Sequence, residues 1–240
     1  MTSTDRPLLL GHRGARLPRI PENTLAAFDL ALQAGCEGFE FDVRSTRDRQ
    51  LVVVHDIRLC GLEVAGSTYA ELQQRWEERV LARLPVTQRR LLTDEQLALP
   101  RLQAVLQRYS RRSFLDLELK AAGLEDAVLY ALRDNPPAQF VVSSFLPEVL
   151  ATFRHKDDWI PLGLICDSAR QLAQWPKLPV SFVIPHYKLA SKELIDALHQ
   201  AEKKVMVWTV NREADARQFA AWGVDAIVSD DPEMLVRAVG

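Results

Sequence analysis

Short apolar runs alternate with segments of helical periodicity along most of the chain. The runs favour buried strands, and the segments between them repeat apolar residues at the three- and four-residue spacing of an amphipathic helix. Such alternation is typical of a parallel sheet covered by helices. The predicted strands are Leu8–Leu10, Gly38–Val43, Leu51–Val54, Ser113–Leu119, Phe140–Ser143, Pro161–Ile165, Val180–Ile184, Val205–Trp208 and Val224–Val228. The predicted helices are Glu22–Leu32, Leu102–Tyr109, Leu124–Leu132, Glu148–Arg154, Ser168–Trp175, Lys192–Gln200 and Glu213–Trp222.

The second and third of these runs are too close together to be consecutive parallel strands. The polar link between them, Arg44–Gln50, is shorter than the dozen or so residues of a parallel crossover, so the two runs should form a hairpin. Leaving Leu51–Val54 out of the count gives eight parallel strands. The predicted fold class is therefore α/β, a (β/α)8 TIM barrel, and a length of 240 residues suits one such barrel.

Residues from about 57 to 100 break the alternation. This segment contains no clear strand and is rich in Arg, Gln and Glu, so we predict a small insertion after the second barrel strand, with a short helix over about Tyr69–Leu81. We expect residues 1–240 to form a single barrel domain that carries this insertion. Because the insertion follows the carboxyl end of a strand, it should lie over the barrel mouth where active sites form.

Composition narrows the range of partners and compartments. Lys and Arg number 30, Asp and Glu number 32, and the net charge of −2 argues against nucleic-acid binding driven by positive charge. No apolar run is long enough to span a membrane, and the first residues lack the apolar stretch of a signal peptide. The three widely spaced cysteines suit a reducing compartment. We expect a cytoplasmic protein without stable membrane association, and the sequence leaves its oligomeric state open.

Carboxylates occur inside two predicted strands, where charge should be scarce. Glu40 and Asp42 point to one face because side chains two residues apart in a strand share a face. Glu118 and Lys120 likewise share a face, with Asp116 deeper on the same side. Inward carboxylates are costly unless they are paired or bind a metal. Glu40, Asp42 and Glu118 are therefore predicted to bind one divalent cation, Mg²⁺ or Ca²⁺, with Mn²⁺ as a third candidate.

Two histidines, His12 and His55, end separate strands near these carboxylates. Histidine can accept or donate a proton near neutral pH, and Arg13 and Lys120 could hold an anion such as phosphate. Together with a cation, these groups suit cleavage of a phosphoester bond. Trp208, at the end of a later strand, is a candidate wall for the substrate.

Each of these motifs has a plainer explanation when it is taken alone. A Glu-x-Asp pair in a strand is usually a solvent-facing alternation, and a Glu-x-Lys pair can be an ion pair and nothing more. The functional interpretation depends on all of them falling at the strand ends of one predicted barrel.

The order of these motifs resembles the glycerophosphodiester phosphodiesterase family, most closely its bacterial cytosolic members. The matching segments cover nearly the whole chain, and although each is weak alone, their shared order is specific. They are Gly11-His12-Arg13-Gly14, Pro21-Glu22-Asn23-Thr24, Glu40-Phe41-Asp42-Val43, Val53-Val54-His55-Asp56, Leu117-Glu118-Leu119-Lys120, Ser143-Ser144-Phe145, Val207-Trp208-Thr209-Val210-Asn211 and Gly223-Val224-Asp225-Ala226-Ile227-Val228-Ser229-Asp230-Asp231-Pro232.

The resemblance implies an enzyme of lipid and glycerol metabolism that hydrolyses small-molecule glycerophosphodiesters to sn-glycerol 3-phosphate and an alcohol. It implies a role for each matching residue: His12 and His55 as the acid/base pair, Glu40, Asp42 and Glu118 as metal ligands, and Arg13 and Lys120 as phosphate contacts. The chain departs from the family pattern after His55, where it reads Ile57-Arg58-Leu59-Cys60. This departure bears on the choice of head group.

Two other functions stay open at this point. A lysophospholipase D or sphingomyelinase D-like activity would use the same residues but needs an apolar groove for an acyl chain. The insertion looks too polar for such a groove, since it carries Arg75, Glu77, Glu78, Arg79, Arg83, Arg89 and Arg90. Small head groups such as glycerol, ethanolamine or choline are expected instead, with Arg58 as a candidate contact. A non-catalytic barrel that binds a phosphorylated metabolite would be expected to lack a histidine or a carboxylate that this chain retains.

Overall fold

The computed structural model describes residues 6–16, 20–82 and 98–240. The strands are β1 (Leu8–His12), β2 (Gly38–Ser45), β3 (Leu51–Val53), β4 (Arg58–Leu59), β5 (Leu62–Glu63), β6 (Phe114–Leu119), β7 (Gln139–Ser144), β8 (Leu162–Cys166), β9 (Phe182–Pro185), β10 (Lys204–Val207) and β11 (Ala226–Ser229). The α-helices are α1 (Leu25–Ala34), α2 (Tyr69–Ala82), α3 (Leu102–Tyr109), α4 (Glu125–Asp134), α5 (Pro147–Lys156), α6 (Ala169–Leu172), α7 (Lys192–Gln200), α8 (Glu213–Ala221) and α9 (Pro232–Val239), and a 3₁₀ turn covers Trp175–Lys177.

Eight parallel strands close into a barrel, which confirms the predicted (β/α)8 fold. The sheet runs in the order β1, β11, β10, β9, β8, β7, β6, β2, and β2 pairs with β1 to complete the circle. The strand β3 pairs antiparallel with β2, with Val43 opposite Val53. The predicted hairpin is therefore present, and β3 lies outside the ring of eight.

Strand alternation divides the apolar residues into two layers. Phe39 and Phe41 of β2 point outward beneath the helices, where the ring of Phe28 from α1 stacks on Phe39 at 4.1 Å between centroids. The interior of the barrel holds a smaller apolar cluster that includes Leu10, Phe114, Val141, Phe182 and Met206. In β2 and β6, the residues that alternate with these outward-facing ones consequently point into the barrel.

The insertion differs in part from the expectation. Within the segment expected to lack strands, β4 and β5 form a two-residue antiparallel hairpin, and α2 covers the predicted helix. Leu59, Leu72, Trp76 and Leu99 bury their side chains in a separate apolar cluster beside β3. Arg83, Arg89 and Arg90 lie outside the described residues. The assignment of residues 1–240 to one domain stays a prediction.

The sequence analysis also missed the helix α9 at the end of the chain. Its start carries ordinary helix signals, because the Asp231 side chain accepts a hydrogen bond from the Met234 amide and Pro232 occupies the first turn. No helix among the described residues combines the length and apolar character needed to cross a bilayer.

Candidate active site

The register of three neighbouring strands brings the predicted acidic residues together. Glu40 of β2 lies opposite His12 of β1 on one side and Asp116 of β6 on the other. Asp42 lies opposite Glu118, one pleat closer to the barrel mouth. Oxygen atoms of Glu40, Asp42 and Glu118 lie within 4.8 Å of one another, and all three side chains are buried. The three carboxylates thus form one cluster, which we call the acidic trio.

A tight turn after β1 places Arg13 against this cluster. Arg13 and Gly14 both have positive φ, of 54° and 84°, and a side chain at Gly14 would come within 2.5 Å of the Ala27 backbone. The turn directs the backbone N–H of Arg13 to Glu40 Oε2 at 3.1 Å. It also places the guanidinium Nε of Arg13 3.1 Å from Asp42 Oδ2.

Asp42 is held by polar contacts from three directions. The Asn23 amide group donates to Asp42 Oδ2 at 2.7 Å, and Asn23 Oδ1 accepts from the Asp42 backbone N–H at 3.3 Å. The Lys120 ammonium lies 3.1 Å from Asp42 Oδ1 and also contacts Glu118. Burial alone would raise the pKa of Asp42, but Lys120, Arg13 and Asn23 outweigh it and hold that pKa below its usual value.

The other two members of the trio behave in the opposite way. Burial, reinforced by Asp42, raises the pKa of Glu118 to about 7 and the pKa of Glu40 well above its usual value. Glu40 Oε1 is buried and has no hydrogen-bond partner among the described residues. These features are those of a site that lacks positive charge, since carboxylates buried together repel one another.

The acidic trio therefore fits a bound cation. Beside Glu40 and Glu118 lies a cavity of about 20 Å³, large enough for one water molecule or small ion. Its other lining residues are His12, Asp116, Trp208, Ile165, Ile184 and Val228. The ligand atoms of the acidic trio are all hard carboxylate oxygens, which Mg²⁺, Mn²⁺ and Ca²⁺ prefer. The unpartnered Oε1 of Glu40 is an oxygen atom that such an ion would satisfy.

His12 lies between this cavity and a second carboxylate. Its Nδ1 is 2.7 Å from Asp230 Oδ1, and its Nε2 is 3.8 Å from Glu40 Oε2. Asp230 is in turn fixed by Asn211, whose Nδ2 donates to Asp230 Oδ2 at 2.6 Å. The ring of His12 is thus oriented so that Nε2 faces the acidic trio.

His55 is placed beside Asp42 by the β2–β3 hairpin. The amide of the preceding residue, Val54, donates to the Asp42 carbonyl at 3.0 Å. The His55 Nδ1 lies 2.7 Å from Asp56 Oδ1, and Arg44 Nε donates to the His55 carbonyl at 2.8 Å. Burial lowers the pKa of His55, with Asp42 and Asp56 opposing the shift. The imidazole is therefore mostly neutral at neutral pH, which suits a group that must gain and lose protons.

Trp208 borders the small cavity at the barrel mouth. Its indole Nε1 donates to the Ile184 carbonyl at 3.0 Å, and its ring meets Phe145 edge to face at 5.5 Å between centroids. The Lys120 ammonium lies 5.6 Å from the centroid of the same Phe145 ring. These contacts fix the indole as a rigid wall next to a cation.

All eight predicted site residues thus lie at one end of the barrel: His12, Arg13, Glu40, Asp42, His55, Glu118, Lys120 and Trp208. Sequence reasoning gave no role to Asn23, Arg44 or Asp230. Arg44 follows Asp42 by two residues and Asp230 directly follows β11, so the strand-end rule that selected the other residues also applied to them. The signal for Asn23 was weaker, because its φ of 59° is seen only in the structure.

Comparison with known proteins gives a consistent result. Residues 12–234 match the glycerophosphoryl diester phosphodiesterase family. The chain is 30% identical to a glycerophosphodiester phosphodiesterase of Bacillus altitudinis, over 95% of this chain and 96% of that one. It is 27% identical to a glycerophosphodiester phosphodiesterase of Caldanaerobacter subterraneus, over 98% of both chains. A phosphodiesterase of Oleispira antarctica, solved with the product sn-glycerol-3-phosphate, superposes with a TM-score of 0.80 at 25% identity, over 97% of this chain and 96% of that one.

Proposed function

The chain belongs to the glycerophosphoryl diester phosphodiesterase family, and from this membership we propose that it hydrolyses glycerophosphodiesters to sn-glycerol 3-phosphate and an alcohol. The proposal includes a divalent cation bound by the acidic trio, and His12 and His55 as the proton-transfer groups. One observation supports this most strongly. Two histidines, each with a carboxylate at Nδ1, flank three buried carboxylates at the mouth of one barrel, together with the positively charged side chains of Arg13 and Lys120.

In this proposal Glu40, Asp42 and Glu118 hold the cation. When bound, the cation supplies positive charge that polarises the phosphoryl group and stabilises charge developing on its oxygens. Mg²⁺ and Ca²⁺ are the first candidates, because the available ligands are carboxylate oxygens. Asn23 and Arg13 keep Asp42 ionised and correctly oriented through their contacts with Oδ2.

The two histidines divide the proton transfers between them. For each ring, the carboxylate at Nδ1 favours a proton on that nitrogen and leaves Nε2 to face the substrate. One histidine accepts a proton from the attacking group, and the other donates a proton to the oxygen of the departing alcohol. Attack by water gives sn-glycerol 3-phosphate directly, whereas attack by a hydroxyl of the glycerol arm gives a cyclic phosphate that water then opens. The lowered pKa of His55 favours the neutral imidazole, which is the form that can accept a proton.

Arg13 and Lys120 bind the phosphate in this arrangement. Their side chains are only 17% and 11% exposed, so charge at this position is weakly screened by solvent. Both lie against Asp42, and each retains donors that its present partners do not use. Trp208 forms a rigid wall that limits how the glycerol arm can turn.

The test is a turnover assay of the purified protein on glycerophosphoethanolamine and glycerophosphocholine, with sn-glycerol 3-phosphate measured as the product. We expect release of sn-glycerol 3-phosphate that stops with chelator and returns with added Mg²⁺, Mn²⁺ or Ca²⁺. Loss of turnover by a factor of about 10²–10⁴ in His12→Ala and in His55→Ala would match the usual contribution of a positioned acid or base.

Three results would contradict parts of this proposal. Full turnover in excess chelator would remove the cation from the mechanism. Near-native turnover in either histidine variant would make that histidine structural. Faster release of choline from a long-chain lysophospholipid than from glycerophosphocholine would favour a lysophospholipase D-like activity, and binding without any turnover would favour a non-catalytic barrel.

A further inference from the structure

A second space, larger than the cavity in the barrel mouth, opens beside His55. It is a groove of about 260 Å³, and the described part of the insertion forms one of its walls through Arg58, Leu59, Trp76 and Arg79. We call it the insertion groove. Its volume is at the small end for ligand pockets, which usually measure about 300–1,000 Å³, so it suits a compact polar group better than a long acyl chain.

The insertion groove adjoins the candidate active site through two shared residues. His55 and Asn23 both line it, and Asn23 also donates a hydrogen bond to Asp42 of the acidic trio. A phosphodiester held between the acidic trio and His55 carries two esterified alcohol groups, or arms. An arm that extends beyond His55 enters this groove. The insertion groove is therefore placed to receive one arm of the substrate.

The charges around the insertion groove do not balance. Of its two carboxylates, Glu22 pairs with Arg13 at 2.7 Å, whereas Asp56 lies 2.7 Å from Nδ1 of the mostly neutral His55 and keeps its negative charge. Arg58 contacts the Gly61 carbonyl, and Arg79 makes only a long contact, 3.9 Å, with the Cys60 sulfur. Neither arginine has an ion pair with a carboxylate among the described residues. Among the described lining residues, Arg16, Arg58 and Arg79 thus outnumber the two carboxylates, and positive charge is in excess beside His55.

One wall of the insertion groove is apolar. Trp76 is only 7% exposed, and because its indole N–H is buried, the side chain presents ring carbons to the groove. Around it the wall is apolar, formed by Val54, Leu59 and Leu99. The guanidinium donors of Arg58 and Arg79 beside this apolar wall favour a ligand that has several acceptor oxygens and a short carbon skeleton.

Resting on the proposed function, we infer that the insertion groove binds the alcohol arm of the diester and selects an alcohol that carries its own phosphate. The guanidinium groups of Arg58 and Arg79 pair with that second phosphate, while the apolar wall contacts the carbons between the two phosphates. This preference differs from the neutral or cationic head groups expected from the insertion's composition. Choline and ethanolamine bring a positive charge toward these arginines and are disfavoured.

A matched pair of substrates tests the inference. One is sn-glycero-3-phosphoglycerol, and the other is the same diester with a phosphate on the far hydroxyl of the alcohol. We expect kcat/KM to be about fivefold or more higher for the phosphorylated compound. Arg58→Ala and Arg79→Ala should each reduce this ratio about two- to fivefold, the range of exposed ion pairs, because kcat/KM falls more for the phosphorylated compound than for the unphosphorylated one.

Arg75→Ala is the control for these variants. Arg75 lies on α2 like Arg79 and is exposed, but it pairs with Glu78 and does not line the insertion groove. Its loss should leave the ratio of the two substrates unchanged. An equal fall of that ratio in all three variants would instead indicate a general effect of surface charge and would overturn the assignment to the groove.

Failure of the inference can be separated from failure of the proposed function. Equal kcat/KM for the two compounds in the wild-type protein would overturn the inference while leaving the diesterase activity intact. If neither compound is cleaved, the proposed function fails, and titration calorimetry still gives the ratio of the two dissociation constants. Equal dissociation constants would then overturn the groove's selectivity, and tighter binding of the phosphorylated compound that is lost in Arg58→Ala would support it.

Discussion

His12 and Asp230 are neighbours because the first and last strands of the barrel are paired. Gly11 lies opposite Ser229 in the β1–β11 ladder, so the residues that follow them meet at the barrel mouth. The result is a contact of 2.7 Å between His12 Nδ1 and Asp230 Oδ1. Burial would raise the pKa of Asp230, but His12 and Asn211 outweigh it and hold that pKa below its usual value. Asp230 thus remains an anion that fixes the ring of His12.

Replacing Asp230 should impair catalysis without abolishing substrate binding. In Asp230→Ala the His12 ring loses the partner that orients it, and we expect kcat to fall about 10- to 100-fold with little change in KM. Steady-state kinetics on a glycerophosphodiester measure both constants. Asp126→Asn, which alters an exposed ion pair with Lys156, is the control and should have native kinetics. A rise in KM with native kcat in Asp230→Ala would show that Asp230 serves binding instead.

Removing one carboxylate of the acidic trio should remove the cation. Glu40→Gln keeps the shape of the side chain but lacks the charge, so we expect Mn²⁺ binding, measured by calorimetry, to weaken at least tenfold and turnover to fall with it. Glu125→Gln is a suitable control because Glu125 is also buried but accepts a hydrogen bond from the Gly123 amide and is not part of the acidic trio. Unchanged Mn²⁺ affinity in Glu40→Gln would exclude this carboxylate from the metal site.

Asn23 should matter through its side chain and not only through its backbone. Asn23→Gly tolerates the positive φ of 59° but loses both contacts with Asp42, whereas Asn23→Ala loses the contacts and also strains the backbone. We expect both variants to lose cation affinity about 10- to 100-fold, with Asn23→Ala additionally less stable to urea. Native cation affinity in Asn23→Gly would limit the role of Asn23 to the turn.

The alternation of the strands was enough to predict much of the fold and the centre of the site. The period of two in β2 correctly separates Glu40 and Asp42 from the outward phenylalanines, and the short link after β2 correctly predicts the hairpin that carries His55. Both conclusions follow from local geometry, because neither needs to know which distant segments are neighbours.

The contacts that orient the site were less accessible from the sequence. The pairing of Asp230 with His12 spans 218 positions and depends on closure of the barrel. The apolar wall of the insertion groove was hidden by composition, because α2 is polar overall and buries only Leu72 and Trp76. A count of charged residues cannot show which of them face solvent and which line a groove.

A buried thiol far from the site gives a prediction about stability. Burial, with a smaller effect of Glu37, raises the pKa of Cys36 to about 12 from an ordinary value of 9.0. Between these values the unfolded chain releases this proton and the folded protein retains it. The unfolded state therefore binds fewer protons, and the free energy of unfolding falls as pH rises above about 9.

The variant Cys36→Ala isolates this contribution. The free energy of unfolding of the wild-type protein, from urea titrations followed by circular dichroism between about pH 9 and 10.5, should fall more steeply than that of the variant. The difference in slope should be about 1.4 kcal/mol per pH unit, because one proton is involved. Val105→Ala removes buried volume in the same apolar layer without a titratable group, so it should lower stability and keep the wild-type slope. Parallel slopes for the wild-type protein and Cys36→Ala would mean that the thiol ionises equally well in the folded protein.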